Sequence, residues 1–276
     1  MIPPDVWRLE LFLGPRATIA VLAVAGGLAV MTRALPDVSV AGWIVRVTAV
    51  SALVAIMPGM LALLAWRPRQ RFGLLELLGF SMGVSFALMQ VLVVAALTFH
   101  WSPMQAVAVF GLTAAAHAAM ALRHVERGVS VYVPLDQLAI VVLLAGLALF
   151  LYAAGSPVQD QEDRIHISIV QRLAHLTRPD IGNIYLFPGV VYTYPFPGTH
   201  YMMALMSWVG DIEPMFLYHK LRGFWGVAAI VLLYGCARVV FESARMALAA
   251  ALTAVAFVAN GTFAGVPGYY WAQMAP

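Results

Sequence analysis

Six of the thirteen acidic residues of this 276-residue chain fall in one stretch, residues 155–214: Asp160, Glu162, Asp163, Asp180, Asp211 and Glu213. The densest part reads Asp160-Gln161-Glu162-Asp163-Arg164-Ile165-His166. Carboxylates and a histidine at this spacing can move a proton, meet a phosphate or hold a metal ion. Helical periodicity covers 162–176. At about 100° per residue, Ile165, Ile169, Leu173 and Leu176 form one stripe with Val170 at its edge. Arg164, Ser168, Gln171 and His175 lie opposite. Glu162 and His166 sit near the middle of the apolar stripe, and Asp163 at its edge. They therefore face membrane or packed protein rather than bulk water. A purely structural reading competes. Asp160 can cap the helix, with Glu162 and Asp163 complementing its dipole.

A second segment follows, Tyr192-Thr193-Tyr194-Pro195-Phe196-Pro197-Gly198-Thr199-His200-Tyr201. Its Pro/Gly/aromatic part reads as a rigid loop. Residues 199–209 read as a second helix, about half the length of a membrane span. The expectation is that both helices rest at a membrane surface. Tyr192, Tyr194 and His200 then either form an aromatic belt or line a substrate site.

The rest of the chain explains why a membrane is invoked. Apolar and aromatic residues make up 62% and charged residues 11%. Soluble domains run nearer ~45–50% and ~25%. This excludes a soluble globular protein, a disordered chain and a nucleic-acid binder. The net charge of +3 comes from scattered basic residues, and the single Cys236 excludes a disulfide framework. Apolar segments of about 20 residues read as spans at 17–35, 40–65, 73–98, 104–122, 135–154, 215–237 and 246–262. The fold class expected is all-α, a polytopic transmembrane bundle of about seven spans with two interfacial helices in a large outer loop.

Orientation follows from the short loops. Arg8, Arg16, Arg67, Arg69, Arg71, Arg123, Arg127, Arg238 and Arg245 all fall on one side if spans alternate. That side reads as cytoplasmic. The N-terminus then lies inside, and residues 155–214 and the C-terminus outside. Arg46 and His117 lie within spans, where ionisable groups mark function or a specific partner. Arg46 is expected to snorkel to the outer face, and His117 to bond between helices. Glu76 is expected to be explained by Arg71 and a helix N-terminus. Gly26, Gly27, Gly79 and Gly83 are expected to let helices pack closely.

The order of acidic surface helix, aromatic-Pro-x-Pro segment, second short helix and Arg-bearing span resembles the first outer loop of GT-C membrane glycosyltransferases. These include protein mannosyltransferases and lipid A aminoarabinose transferases. The likeness covers about residues 135–276, leaving 1–134 as an N-terminal four-span region. It implies sugar transfer, with inversion, from a polyprenyl-phosphate donor to an acceptor at the outer face of a prokaryotic cytoplasmic membrane, a cell-envelope role. The partners are the bilayer, the lipid-linked donor and an acceptor, with no nucleic acid. Asp163 is the favoured base, because Asp163-x-x-His166 fits family variants in which Asp precedes His by three. Asp160 is the alternative, and Glu162 the third acid. His166, Arg164, Arg172, Tyr192, Tyr194, His200 and Arg222 are the binding residues implied. A divalent cation, Mg or Mn, is left open; its ligands would come from Asp160, Glu162, Asp163 or His166. The family usually carries more spans, so the chain reads as truncated. The competing functions are a transporter and a non-catalytic membrane scaffold. A transporter would need paired polar residues at the midplane or broken helices, and the sequence shows one His and one Arg instead.

Overall fold

The computed structural model describes residues 8–13, 15–34, 40–66, 71–123, 129–134, 161–175 and 198–259, with helical positions 137, 140 and 144. The chain is mostly helical. In order come β1 (Arg8–Leu13), α1 (Pro15–Ala34), α2 (Val40–Ser51), a π-helical turn (Ala52–Ile56), α3 (Met57–Trp66), β2 (Arg71–Gly73) and α4 (Leu74–Thr98). There follow α5 (Pro103–Leu122), β3 (Val129–Pro134), α6 (Gln161–His175), α7 (Gly198–Gly210), α8 (Pro214–Phe241) and α9 (Ala244–Ala259). Three described helices are long and apolar enough to cross a bilayer: Gly42–Trp66, Leu74–Thr98 and Pro103–Leu122. The stretches expected at 17–35, 215–237 and 246–262 also meet helices, Pro15–Ala34, Pro214–Phe241 and Ala244–Ala259. The segment 135–154 lies outside the described residues apart from the three positions named.

An all-α class misses one feature. β1 pairs antiparallel with β3, from Arg8 opposite Pro134 to Leu13 opposite Val129. β2 runs parallel on the other side of β3, with Arg71 opposite Ser130 and Gly73 opposite Tyr132. The cause is legible afterwards. Arg-Leu-Glu-Leu alternates charged and apolar residues, and Val-Ser-Val-Tyr-Val is β-branched and aromatic. Both are too short and polar to span. The sheet gathers the N-terminal strand, the α3–α4 connection and the strand after α5 at one end of the bundle. Glu76 adds the end of α8. It accepts a hydrogen bond from Gly73 N at 3.0 Å and pairs with Arg238 Nε at 3.1 Å. The helix N-terminus thus meets Glu76 as expected, and the cation beside it among the described side chains is Arg238 of α8.

The helix from 40 to 66 is interrupted where proline demands it. Pro58 has no N–H to give the preceding turn. The π-helical turn sits just before it, and Met57 N bonds Ala52 O. Ser85 of α4 repairs the joint: its Oγ accepts from Gly59 N at 2.8 Å and donates to Ile56 O at 3.4 Å. This needs backbones to touch. A Cβ on Gly59 would fall onto the Ser81 carbonyl oxygen and within 2.7 Å of Ser85 N. Gly79 packs likewise on α8, where its Cβ would lie 2.9 Å from Val231 O. Gly83 meets Leu232 Cδ2 at 3.4 Å, an ordinary contact. Among the described residues nothing lies within 4 Å of a Cβ at Gly26 or Gly27, so no close helix approach is seen there.

One buried cluster unites the halves of the chain. Val50, Val54, Leu75 and Val93 share it with Tyr201, Leu205, Leu217 and Leu221. A smaller cluster of Met57, Leu64, Phe72 and Leu77 lies beneath the sheet end. Glycine in a helix ordinarily costs about 1 kcal/mol relative to alanine, so the α1 and α3 sites should respond oppositely. Gly59→Ala should destabilise the protein by about 1–3 kcal/mol through overpacking. Gly26→Ala should leave it unchanged or raise it slightly. Thermal unfolding in detergent compares the two; equal effects would refute the close α3–α4 contact.

Candidate functional site

α6 is amphipathic, and its buried side differs in detail from the sequence expectation. Ile167, Ile169, Val170 and Leu173 are buried, with Ser168, Gln171 and Arg172 half-buried and His175 exposed. On a helical wheel the buried positions span roughly 160°, centred nearer Val170 than Ile169. Ile167 enters the arc, which the stripe of Ile165, Ile169 and Leu173 had not included. The reason is that α6 is covered by α7 and α8 together, so it buries more than a single stripe. Continued back at about 100° per residue, the same arc passes through positions 162, 163 and 166.

α7 fixes that face. Trp208 Nε1 donates to the Ala174 carbonyl at 2.8 Å, tying the last turn of α7 to the last turn of α6. Eleven of the thirteen residues of α7 are buried. The expectation of a helix resting on a surface is corrected here. His-Tyr-Met-Met-Ala-Leu-Met is apolar on every side, and such a helix buries itself within protein. α7 packs against α2, α4, α6 and α8. Its start presses on α4: a Cβ on Gly198 would strike the Gln90 side-chain amide. Gln90 lies eight residues, about 12 Å, before the end of α4. The half-length helix therefore begins inside the bundle and ends at the α7–α8 turn, where Gly210 meets Val50.

Arg46 secures that turn. It is 6% exposed, buried rather than snorkelling, and its Nη1 donates to the Asp211 carbonyl at 3.5 Å. Its guanidinium lies 4.9 Å from the centre of the Trp43 ring. Asp211 has φ 51°, the left-handed conformation that commonly ends a helix. Glu213 starts α8 by accepting from Phe216 N at 2.7 Å, with Pro214 in the first turn. His117 also departs from expectation. Its Nδ1 lies 2.9 Å from Thr113 O of its own helix, and its ring stands edge-on to Trp66.

The named candidates distribute as follows. Glu162, Asp163, Arg164 and His166 occupy the first two turns of α6, and Arg172 its last turn. His200 is the third residue of α7 and is buried. Burial at that depth does not suit a belt at a water boundary. Arg222 lies on α8. Asp160, Tyr192 and Tyr194 lie outside the described residues. Thus α6, α7 and α8 come together, bringing with them the segments that carry seven of the ten candidates. Among the described side chains no group of three or more His, Cys, Asp or Glu could hold a metal. Those of Glu162, Asp163 and His166 are outside that set.

Tyr201 was given no role from sequence. It is fully buried, its ring stands edge-on to Trp208 at 5.7 Å, and its hydroxyl has no hydrogen-bond partner among the described residues. Burial pushes the phenol up from its ordinary range, so it stays protonated and remains a donor. The signal was a single phenol within an apolar run. No protein-family model, curated protein or solved structure matches this chain.

An unsatisfied buried hydroxyl destabilises a fold by about 1–3 kcal/mol. Tyr201→Phe should therefore raise the melting temperature. Trp208→Phe removes the bond to Ala174 and should lower stability by about 1 kcal/mol. Opposite signs in the same thermal assay are the expected result. A destabilised Tyr201→Phe would mean that the hydroxyl is satisfied.

Proposed function

We propose that this chain is a membrane glycosyltransferase module of the GT-C type, moving a sugar from a polyprenyl-phosphate donor to an acceptor at the outer face. The observation that carries the reading is the buried arc of α6. Positions 162, 163 and 166 share that face by helical period alone, and the helix packed on it carries buried His200 in its first turn. A carboxylate held away from water has a raised affinity for protons, which suits a general base. The proposed architecture is seven spans, with the sheet end cytoplasmic and the α6–α7 layer outside. The gathering of the Arg8, Arg71 and Arg238 segments at one end supports that orientation.

The chemistry runs as one displacement. The Asp163 carboxylate takes the proton from the acceptor hydroxyl. That oxygen bonds to the anomeric carbon as the bond to the carrier phosphate breaks, with inversion. The phosphate leaves with the electron pair, and Arg164, Arg172 and Arg222 are the cations assigned to it. His166, His200, Tyr192 and Tyr194 are assigned to the sugar and acceptor. Asp160 and Glu162 orient the acceptor or hold a divalent cation.

The test is sugar transfer by protein in lipid nanodiscs supplied with radiolabelled polyprenyl-phosphate sugars. Asp163→Asn should lower the rate by between about a hundredfold and ten-thousandfold, the range for loss of a general base. Asp160→Asn and Glu162→Gln should lower it less. Full activity in all three variants would sink the catalytic assignment. Failure of the wild-type protein to bind polyprenyl phosphate would sink the family reading.

A further inference from the structure

We infer that the cleft between α3, α4 and α5 is a lipid site that takes one acyl chain of a bilayer phospholipid. The cleft encloses about 190 Å³. Leu88, Leu92 and Ala95 of α4 form one wall, and Val109, Phe110 and Ala114 of α5 the other. It exists because α5 leaves α4 after the tight turn at 99–102 and packs on α3 instead. Trp66 of α3 meets His117 of α5 at 5.5 Å between ring centres, while no comparable contact closes α5 onto α4.

Three observations fix the occupant. The first is polarity. Ser85 and Thr113 are the hydroxyl-bearing side chains of the lining, and both are already engaged. Ser85 Oγ serves Gly59 N and Ile56 O, and Thr113 Oγ1 donates to Val109 O at 2.8 Å. The remaining polar group of the lining residues is the Trp101 indole N–H, one donor where water needs two to four polar partners, so the cavity stays dry. An apolar cavity of about 150 Å³ is large enough to bind benzene. The second is continuity with the membrane-facing surface. Val91 lines the cleft and is 70% exposed, and Leu112, beside Val109 and Phe110 in sequence, is 69% exposed. Both helices are long and apolar enough to span, so the cleft opens sideways into hydrocarbon. The third is shape. From Leu88 to Ala95 the wall follows α4 for about 10 Å, along the direction in which a lipid chain lies. The lining carries no charge to select a headgroup. Occupancy is then set by mass action, and phospholipid acyl chains are the hydrocarbon a bilayer supplies in bulk. The site is independent of the proposed transfer reaction.

The full chain in nanodiscs of phosphatidylcholine bearing a diazirine midway along one acyl chain tests this. Light should label peptides of α4 and α5 within 88–95 and 109–114, more than the outward-facing parts of α1. Ala114→Phe fills the cleft and should lower that labelling at least about tenfold, since burying two methylenes is worth that much. The melting temperature of the variant should not fall. Label spread evenly over lipid-facing helices would overturn the proposal. So would retention of the label in Ala114→Phe. A diazirine polyprenyl phosphate that labels the cleft in competition with bulk phospholipid would assign it to the isoprenoid carrier. Cross-links from the cleft to a second copy of the chain would assign it to self-association. Each of these last two results overturns the acyl-chain assignment. If Ala114→Phe does not fold, the labelling pattern of the unaltered protein still decides.

Discussion

A backbone amide inside hydrocarbon has no water to turn to, so every irregularity there must be repaired by a side chain or another helix. The joint at Pro58 makes the point. The proline removes one donor and the π-helical turn displaces its neighbours. A single hydroxyl, Ser85, then accepts from Gly59 N and donates to Ile56 O. For Ser85 to reach, α3 and α4 must approach until Gly59 touches the backbone of Ser81. One missing N–H is therefore tied to the tightest glycine contact among the described helices. That crossing leaves α5 to lean on α3 and opens the cleft beside α4. Thr113 and Thr253 follow the same rule by bonding carbonyls of their own helices.

The constraint reappears at the ends. A helix end carries free carbonyls or amides, and the few charged residues are spent on them. Arg46 takes the Asp211 carbonyl where α7 finishes, and Glu76 takes Gly73 N where α4 begins. Glu76 also reaches Arg238 on α8. α8 is thereby held near both extremities, by Arg46 through the α7–α8 turn and by Glu76 at the other end. The surface that α8 gives to α6 and α7 cannot shift without disturbing one of these anchors.

Composition and period made the helices legible. The stretches 17–35, 40–65, 73–98, 104–122, 215–237 and 246–262 each meet a helix whose ends differ by a few residues. Local patterns could not tell where a helix packs. Residues 199–209 have the length of a half span, which suited an interfacial helix, yet their apolar surface on all sides demanded burial. Arg46 looked like a snorkelling residue because the carbonyl that holds it is 165 positions away. The sheet was missed because its strands lie far apart in the chain and none is strong alone. Of the candidate site, the face of α6 was legible from period alone. Its true width was not, because two helices cover it. Tyr201 escaped notice because an orphaned hydroxyl is a property of packing, not of order along the chain.

On the proposed reading, the two short helices would let polar chemistry and an apolar solvent coexist. Acids on α6 facing lipid would be discharged or expelled, because a bare carboxylate in hydrocarbon is far costlier than a protonated one. Acids facing open water would keep an ordinary proton affinity. α7 supplies a third environment. It packs on α6 through Trp208 on Ala174 and is thirteen residues long, so it covers the buried side of α6 with protein without the length of a full span. Its start is fixed inside the bundle by Gly198 against Gln90, and its end by the turn that Arg46 holds. Depth is thus set by α4 and α2, and the position of α6 follows from it. On the proposed reading, contacts made by the N-terminal helices position the α6–α7 pair, which makes the first half of the chain a frame for the second.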